Sequence, residues 1–411
     1  MPRPAGASAG PWRIALAGMV ALAVAMGIGR FAFTPLLPMM LHDGVLDLAS
    51  ASWLASSNYL GYLLGALLCT CAPAMARRWP ALTLPAGAKM LRAGLVATGA
   101  LTLGMAVPWP QAWPLLRFAA GVASAFVFIF TSGWCLSRLA QLHSGALGGV
   151  MYAGPGAGIV LSGLLASAMV ALGWSAAAGW LLFGVLAAGL TAGVWCIYAE
   201  GPLRGVPAGA AVQPTAPAVP AVVPKAEFAL LALAYGLAGF GYIITATFLP
   251  VIARQAIPGS AWLDLFWPIF GSAVVAGALL CTRVRLAGDL RYWLAGAYLV
   301  QAAGVLASVL SPSRSGFALG SVLLGLPFTA ITFFAMLEVR RLRPDAVASA
   351  MGLLTALYGL GQILGPPLAA GLLRRSPNPA AGFALSLQIA AGALLAGAAL
   401  YLLSARRWPR R

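Results

Sequence analysis

Twelve runs of apolar residues follow one another along the chain, at 12–41, 51–75, 89–107, 112–136, 147–171, 178–199, 228–252, 262–282, 292–310, 316–338, 348–373 and 380–403. Each is long enough to cross a hydrocarbon core of ~30 Å at a helical rise of ~1.5 Å per residue. Lipid offers the backbone no hydrogen-bond partner, so runs of this length cross it as helices. They are too long and too continuously apolar for the strands of a membrane barrel. Charged residues make up only 8% of the chain, against about 25% in soluble domains. The mean hydropathy is +0.92. A soluble enzyme, a secreted domain, a disordered chain and a coiled coil are excluded on that ground. The expectation is an all-α membrane protein with twelve transmembrane helices.

The formal net charge of +17 invites a nucleic-acid reading, but the basic residues are scattered singly or in small groups between apolar runs. No basic stripe exists to follow a phosphate backbone, so no nucleic-acid partner is expected. Laid on the twelve spans with the N-terminus inside, nineteen of the 25 basic side chains fall on one side and four (Arg254, Arg314, Arg374 and Arg375) on the other. This bias places both termini in the cytoplasm. The remaining two, Arg30 and Arg117, lie within spans. The first span runs through Arg30 to Pro38 without a cleavage site and is read as uncleaved.

Cys69, Cys71, Cys135, Cys196 and Cys281 all fall in apolar runs, and Cys69-x-Cys71 lacks the spacing of a redox or zinc pair. His42 and His143 fall on opposite membrane faces. No metal, no cofactor and no catalytic residue is therefore expected. There is no GxxxxGK[ST] sequence for ATP, so any work on a solute must draw on a gradient.

The one long break, 200–227, is rich in Pro, Ala and Gly and reads as an extended linker. It separates six spans in 1–199 from six in 228–411. The two sets are related by an internal repeat. Gly27-Ile-Gly29-Arg30 lies over Gly239-Phe-Gly241-Tyr242, and Leu37-Pro38 over Leu249-Pro250. In the same register Gly65-Ala-Leu-Leu-Cys-Thr70 falls on Gly277-Ala-Leu-Leu-Cys-Thr282, identical throughout. Gly154-x-x-x-Gly158 lies over Gly361-x-x-x-Gly365 in a slightly different register. Two six-helix bundles in the same orientation are expected, with small residues where helices approach closely.

The run Gly27-Ile-Gly-Arg-Phe-Ala-Phe-Thr-Pro-Leu-Leu-Pro38 resembles the first helix of the YbfB/YjiJ-like family of the major facilitator superfamily. Tyr235 to Pro250 resembles that family's seventh helix, and Tyr358-Gly-Leu-Gly-Gln-Ile-Leu-Gly-Pro366 its eleventh. Arg117-Phe-Ala-Ala-Gly121 is similar to the superfamily's fourth-helix Arg-x-x-x-Gly motif. Gly154-Pro155 with Gly158 is similar to the fifth-helix motif of antiporters. The loop Met75-Ala-Arg-Arg-Trp-Pro80 lacks the acid that the superfamily usually carries after its second helix, while Gly288-Asp289-Leu-Arg291 keeps part of that pattern after the eighth. The resemblance implies the major facilitator fold, with two pseudo-symmetric bundles, and transport across the membrane.

Arg30 lies close to midplane, where a charge costs ~2.5–3.5 kcal/mol on insertion scales and must face protein or water. It reads as a substrate or anion anchor; the alternative is a structural arginine bonded to helix-end carbonyls. Tyr242 is its repeat mate, expected on the opposite wall of one cavity. Asn58, Tyr62 and Gln362 are further polar residues deep in spans, read as substrate contacts or as interhelical bonds. Arg117, Asp264, Gly154, Pro155 and Gly158 are the expected coupling and gating set, Asp264 being the best available carboxylate for a proton. The combined expectation is a monomeric secondary active transporter of the bacterial inner membrane. It would move a small organic solute, with an organic anion or polar metabolite favoured, by alternating access with a proton, counter-ion or exchange substrate. A transporter-like receptor that binds without translocating, and a drug or sugar efflux antiporter, stand as the alternatives.

Overall fold

The computed structural model describes residues 10–46, 48–79, 87–199, 224–256, 265–284, 288–311 and 313–410. The linker expected at 200–227 lies outside the described residues as far as position 223, and so does Asp264.

The helices are α1 (Pro11–His42), α2 (Leu48–Arg78), α3 (Gly87–Gly104), α4 (Trp113–Gln141), α5 (Gly145–Ala171) and α6 (Ala176–Val194). The second set is α7 (Lys225–Ala256), α8 (Phe266–Leu280), α9 (Leu290–Leu310), α10 (Arg314–Leu342), α11 (Val347–Arg375) and α12 (Pro379–Arg407). No strand occurs among the described residues. Eleven of these helices are long and apolar enough to cross a membrane. The exception, α3, has 18 residues, and Lys89 and Arg92 near its start lower its hydropathy.

Local sequence sets the ends. Prolines occupy the first turn of α1, α4 and α12, where their missing N–H is not needed. Ser175 caps α6, Asp289 α9, Ser313 α10 and Asn378 α12, each side chain accepting from an early backbone N–H; such a bond satisfies a donor the helix leaves free. The connection from α5 to α6 turns at Gly173, at φ 67°, a left-handed conformation that suits glycine. The seventh helix begins at Lys225, three residues before the expected boundary. Glu227 in its first turn is buried and held by two arginines, which draws this stretch into the helix.

The repeat seen in the sequence is also a repeat of packing. Within the first bundle α1 meets α5 through glycine: a β-carbon on Gly158 would lie 2.5 Å from the Gly27 Cα. Within the second, α7 meets α11 the same way, since a β-carbon on Gly361 would lie 2.5 Å from the Gly236 carbonyl oxygen. The two bundles join by equivalent pairs. At α5–α8, a β-carbon on Gly156 would lie 2.8 Å from the Gly271 oxygen; at α2–α11, one on Gly352 would lie 2.9 Å from the Ala66 oxygen. Distances this short exclude any larger residue without backbone movement. The chain is thus an all-α membrane protein of two pseudo-symmetric six-helix bundles.

Helix α1 departs from regular geometry where it carries its motif. Ala23–Phe31 forms a π-helical stretch, with a wider turn than the α-helix on either side. Such stretches are rare and concentrate at functional sites. Gly27 faces the backbone of Gly158, and Gly29 faces Thr98 and Ser124, so both sides of the widened turn are closely packed.

Candidate functional site

Arg117 explains how the widened turn is held. Its side chain is buried at 3% exposure; Nη1 donates to the Gly29 carbonyl at 2.9 Å and Nη2 to the Arg30 carbonyl at 3.1 Å. Ser124 Oγ donates to the Ala25 carbonyl at 2.9 Å. One arginine and one serine of α4 thereby bind the carbonyls of the π stretch. In turn Asn58 Nδ2 donates to the Arg117 carbonyl at 2.9 Å, tying α2 to α4. The guanidinium on helix carbonyls, the alternative weighed for Arg30, is the arrangement found at Arg117.

Arg30 is held differently. At 4% exposure its guanidinium lies 3.9 Å from the ring centroid of Tyr62, with the rings of Tyr59 and Phe31 at 5.5 and 5.6 Å. Its Nη2 donates to Gln362 Oε1 at 3.1 Å, and Gln362 Nε2 donates to the Tyr242 hydroxyl. This three-residue chain links α1 of one bundle to α11 and α7 of the other. The Tyr242 ring is fixed by stacking on Tyr358 at 5.6 Å and by the edge of Phe328 at 4.8 Å. The repeat mates Arg30 and Tyr242 are thus joined through Gln362.

Arg30, Asn58, Tyr59, Arg117 and Tyr242 line one cavity of about 180 Å³, closed by Phe31, Phe33, Trp267 and Phe270. Three buried donors of its lining, Arg30 Nε, Arg117 Nε and Trp267 Nε1, have no hydrogen-bond partner among the described residues. No described carboxylate pairs with Arg30 or Arg117. Two buried guanidinium groups thus share one small space and rest on neutral oxygens and aromatic faces. Burying unpaired charge is costly, and no described acid offsets it at this cavity. Tyr62 packs beneath Arg30, and Gln362 spans the bundles. Gly154, Pro155 and Gly158 do not line the cavity; they bring α5 against α1, a β-carbon on Gly154 having Leu22 Cβ 2.9 Å away.

The aromatic lining escaped the sequence reading, although Tyr59 lies three residues before Tyr62 and Tyr358 four before Gln362, the spacings that share a helix face. A charged cluster lies at the terminus-bearing end, of which the sequence offers only Glu338 beside Arg340 and Arg341 as a rim ion pair. Arg291 is bidentate to Asp289, Nε to Oδ1 at 2.9 Å and Nη2 to Oδ2 at 2.7 Å, and its Nη1 reaches Glu227 Oε1 at 3.0 Å. Arg410 pairs with Glu227 at 2.7 Å and with Glu338, which Arg341 also meets at 3.2 Å. Burial pushes the Asp289 carboxyl up, but the hydrogen bonds and charge of Arg291 outweigh it and hold Asp289 below the usual carboxylate range. At the same end the bundles are tied together. Arg340 Nη1 donates to Ser137 Oγ at 2.7 Å, and Ser349 Oγ to the Thr70 carbonyl at 2.6 Å. No group of three or more His, Cys, Asp or Glu suited to a metal occurs among the described residues.

Membrane-length helices folded as two repeats around one cavity shared by both bundles fit a membrane transporter. The chain belongs to the major facilitator superfamily, in the family described as uncharacterised MFS-type transporter YbfB, whose family model matches residues 22–402. No curated protein matches the chain.

Proposed function

We propose that the protein is a secondary active transporter of a small organic anion, held between Arg30 and Tyr242 and moved by alternating access. The observation that carries this reading is the buried Arg30 guanidinium in the shared cavity, with an unpartnered Nε and no described counter-ion. A guanidinium offers forked donors suited to a carboxylate, phosphate or sulfonate. The Phe, Tyr and Trp rings around it suit a compact apolar body bearing that group.

The coupling follows from the Arg30–Gln362–Tyr242 chain. An anion that takes Arg30 Nη2 displaces Gln362, which is the link between bundles at this depth. Binding then favours one arrangement of the bundles over the other, the condition for a ligand to shift such an equilibrium. Arg117, holding the π stretch, keeps Arg30 at the required depth. In the cytoplasmic-termini orientation, the bonds from Arg340 to Ser137 and from Ser349 to Thr70 close the cytoplasmic end in this state. The driving force is an ion or exchange gradient across the bacterial inner membrane.

The test is counterflow of labelled small carboxylates, phosphates and sulfonates in proteoliposomes. Wild-type protein should exchange a member of this set; Arg30→Ala should abolish exchange, and Arg30→Lys should weaken it by losing the fork. Exchange at wild-type rate and affinity in folded Arg30→Ala protein refutes the proposal.

A further inference from the structure

A second cavity lies away from the central site, on the outside of the second bundle. It is an apolar groove of about 1290 Å³ between α8, α9 and α10. Along α9 it runs from Tyr292 to Val300, roughly 12 Å at 1.5 Å per residue. Its width comes from Gly296, where a β-carbon would meet nothing within 4 Å. Its rim is apolar and open: Leu280 is 62% and Trp293 51% exposed.

The mouth of the groove is at the terminus-bearing end and is chemically distinct. Arg283 lines it, is exposed and has no ion pair with any described residue. The neighbouring acids are already engaged: Asp289 with Arg291, and Glu338 with Arg341 and Arg410. Tyr292 is 56% exposed and, with Trp293, supplies the aromatic pair typical of the membrane–water boundary. A long apolar slot ending in an uncompensated cation at that boundary matches one amphiphile.

We propose that this groove binds an anionic phospholipid, one acyl chain lying along Gly296 and the headgroup phosphate on Arg283. Charge selects the headgroup. A zwitterionic lipid would bring its own ammonium next to a cation that has no acidic neighbour free to receive it. The site is independent of the central cavity and of what the protein transports.

Native mass spectrometry tests it, on protein released from micelles holding equal amounts of phosphatidylglycerol and phosphatidylcholine. Wild-type protein should retain phosphatidylglycerol with about a fivefold preference, the factor expected for one basic residue near an anionic surface. Arg283→Gln should bring the preference close to parity while lipid is still retained. Gly296→Leu fills open space, so it should fold with an unchanged melting temperature and lose the retained lipid; Gly296→Ala should lie between. Wild-type preference in Arg283→Gln, or wild-type retention in Gly296→Leu, overturns the proposal. So does a wild-type dimer that Gly296→Leu converts to monomer, which would make the groove the seat of a second copy.

Discussion

Replacing Arg30 by methionine separates a binding role from a structural one, because the two predict opposite outcomes. Methionine is unbranched and its thioether packs well against aromatic rings, so it suits the space among Phe31, Tyr59 and Tyr62. The substitution leaves Gln362 Oε1 without the donor that now lies 3.1 Å away, a loss of about 1–3 kcal/mol for an unsatisfied buried acceptor. Against this stands the removal of a buried guanidinium with no described counter-ion, which is favourable. The two nearly offset, and the melting temperature should stay close to wild type. Anion affinity should not. A hydrogen bond to a charged group contributes about 1.5–3 kcal/mol, so the loss of a forked pair should cost about 3 kcal/mol or more, roughly a hundredfold or more in Kd. Arg30→Lys retains the charge and one bond, and should weaken binding about tenfold. The assay is calorimetric titration of the best anion from a thermal-shift panel, with melting of each variant alongside. Unchanged affinity in Arg30→Met would refute the reasoning. A collapse of the melting temperature in the same variant would show that Arg30 holds the bundles together and is not reserved for a guest.

Four further outcomes follow from the geometry. Gly158→Val should destabilise the protein by about 3 kcal/mol or more, since its β-carbon meets the backbone of Gly27 and the overpacking cannot be relieved by a rotamer change; thermal melting in detergent reads this, and a wild-type melting temperature would contradict the close approach. Arg291→Met takes one of two arginines from the buried Glu227, which keeps Arg410, and the bidentate partner from the half-buried Asp289, so the cost should fall below the about 3–5 kcal/mol of a fully broken buried pair, and the double variant Arg291→Met/Glu227→Gln should recover part of it. Asp289 is held below its ordinary pKa in the folded state, so its contribution is complete above the unfolded value of about 3.9 and disappears as pH falls through the folded one; acid melting curves should therefore lose stability below about pH 4 in wild type and be flatter there in Asp289→Asn. Reporter fusions in the 200–227 linker and after Arg411 should both be cytoplasmic, and a periplasmic signal from either would overturn the orientation.

Most of the architecture was legible in the order of residues. Long apolar runs leave helix as the only backbone choice in lipid, and the repeated Gly-Ala-Leu-Leu-Cys-Thr announced two related bundles before any contact was known. The register of Arg30 with Tyr242 came from counting residues along the repeat. What counting could not separate was the two roles open to a buried arginine. Arg30 and Arg117 look alike in the sequence, each alone in an apolar run. The fold assigns Arg117 to the carbonyls of a π-helical turn and leaves Arg30 with Gln362, aromatic faces and a cavity, because only the crossing of α1, α4 and α11 decides which polar atoms come within 3 Å. The same holds for Glu227, which reads as linker and folds as the partner of Arg291 and Arg410. Helices and their repeat come from backbone hydrogen bonding and apolar burial, which act locally along the chain; the hydrogen-bond partners of the Arg30, Arg117 and Glu227 side chains lie 64 to 332 positions away, and only the packed tertiary structure brings them together.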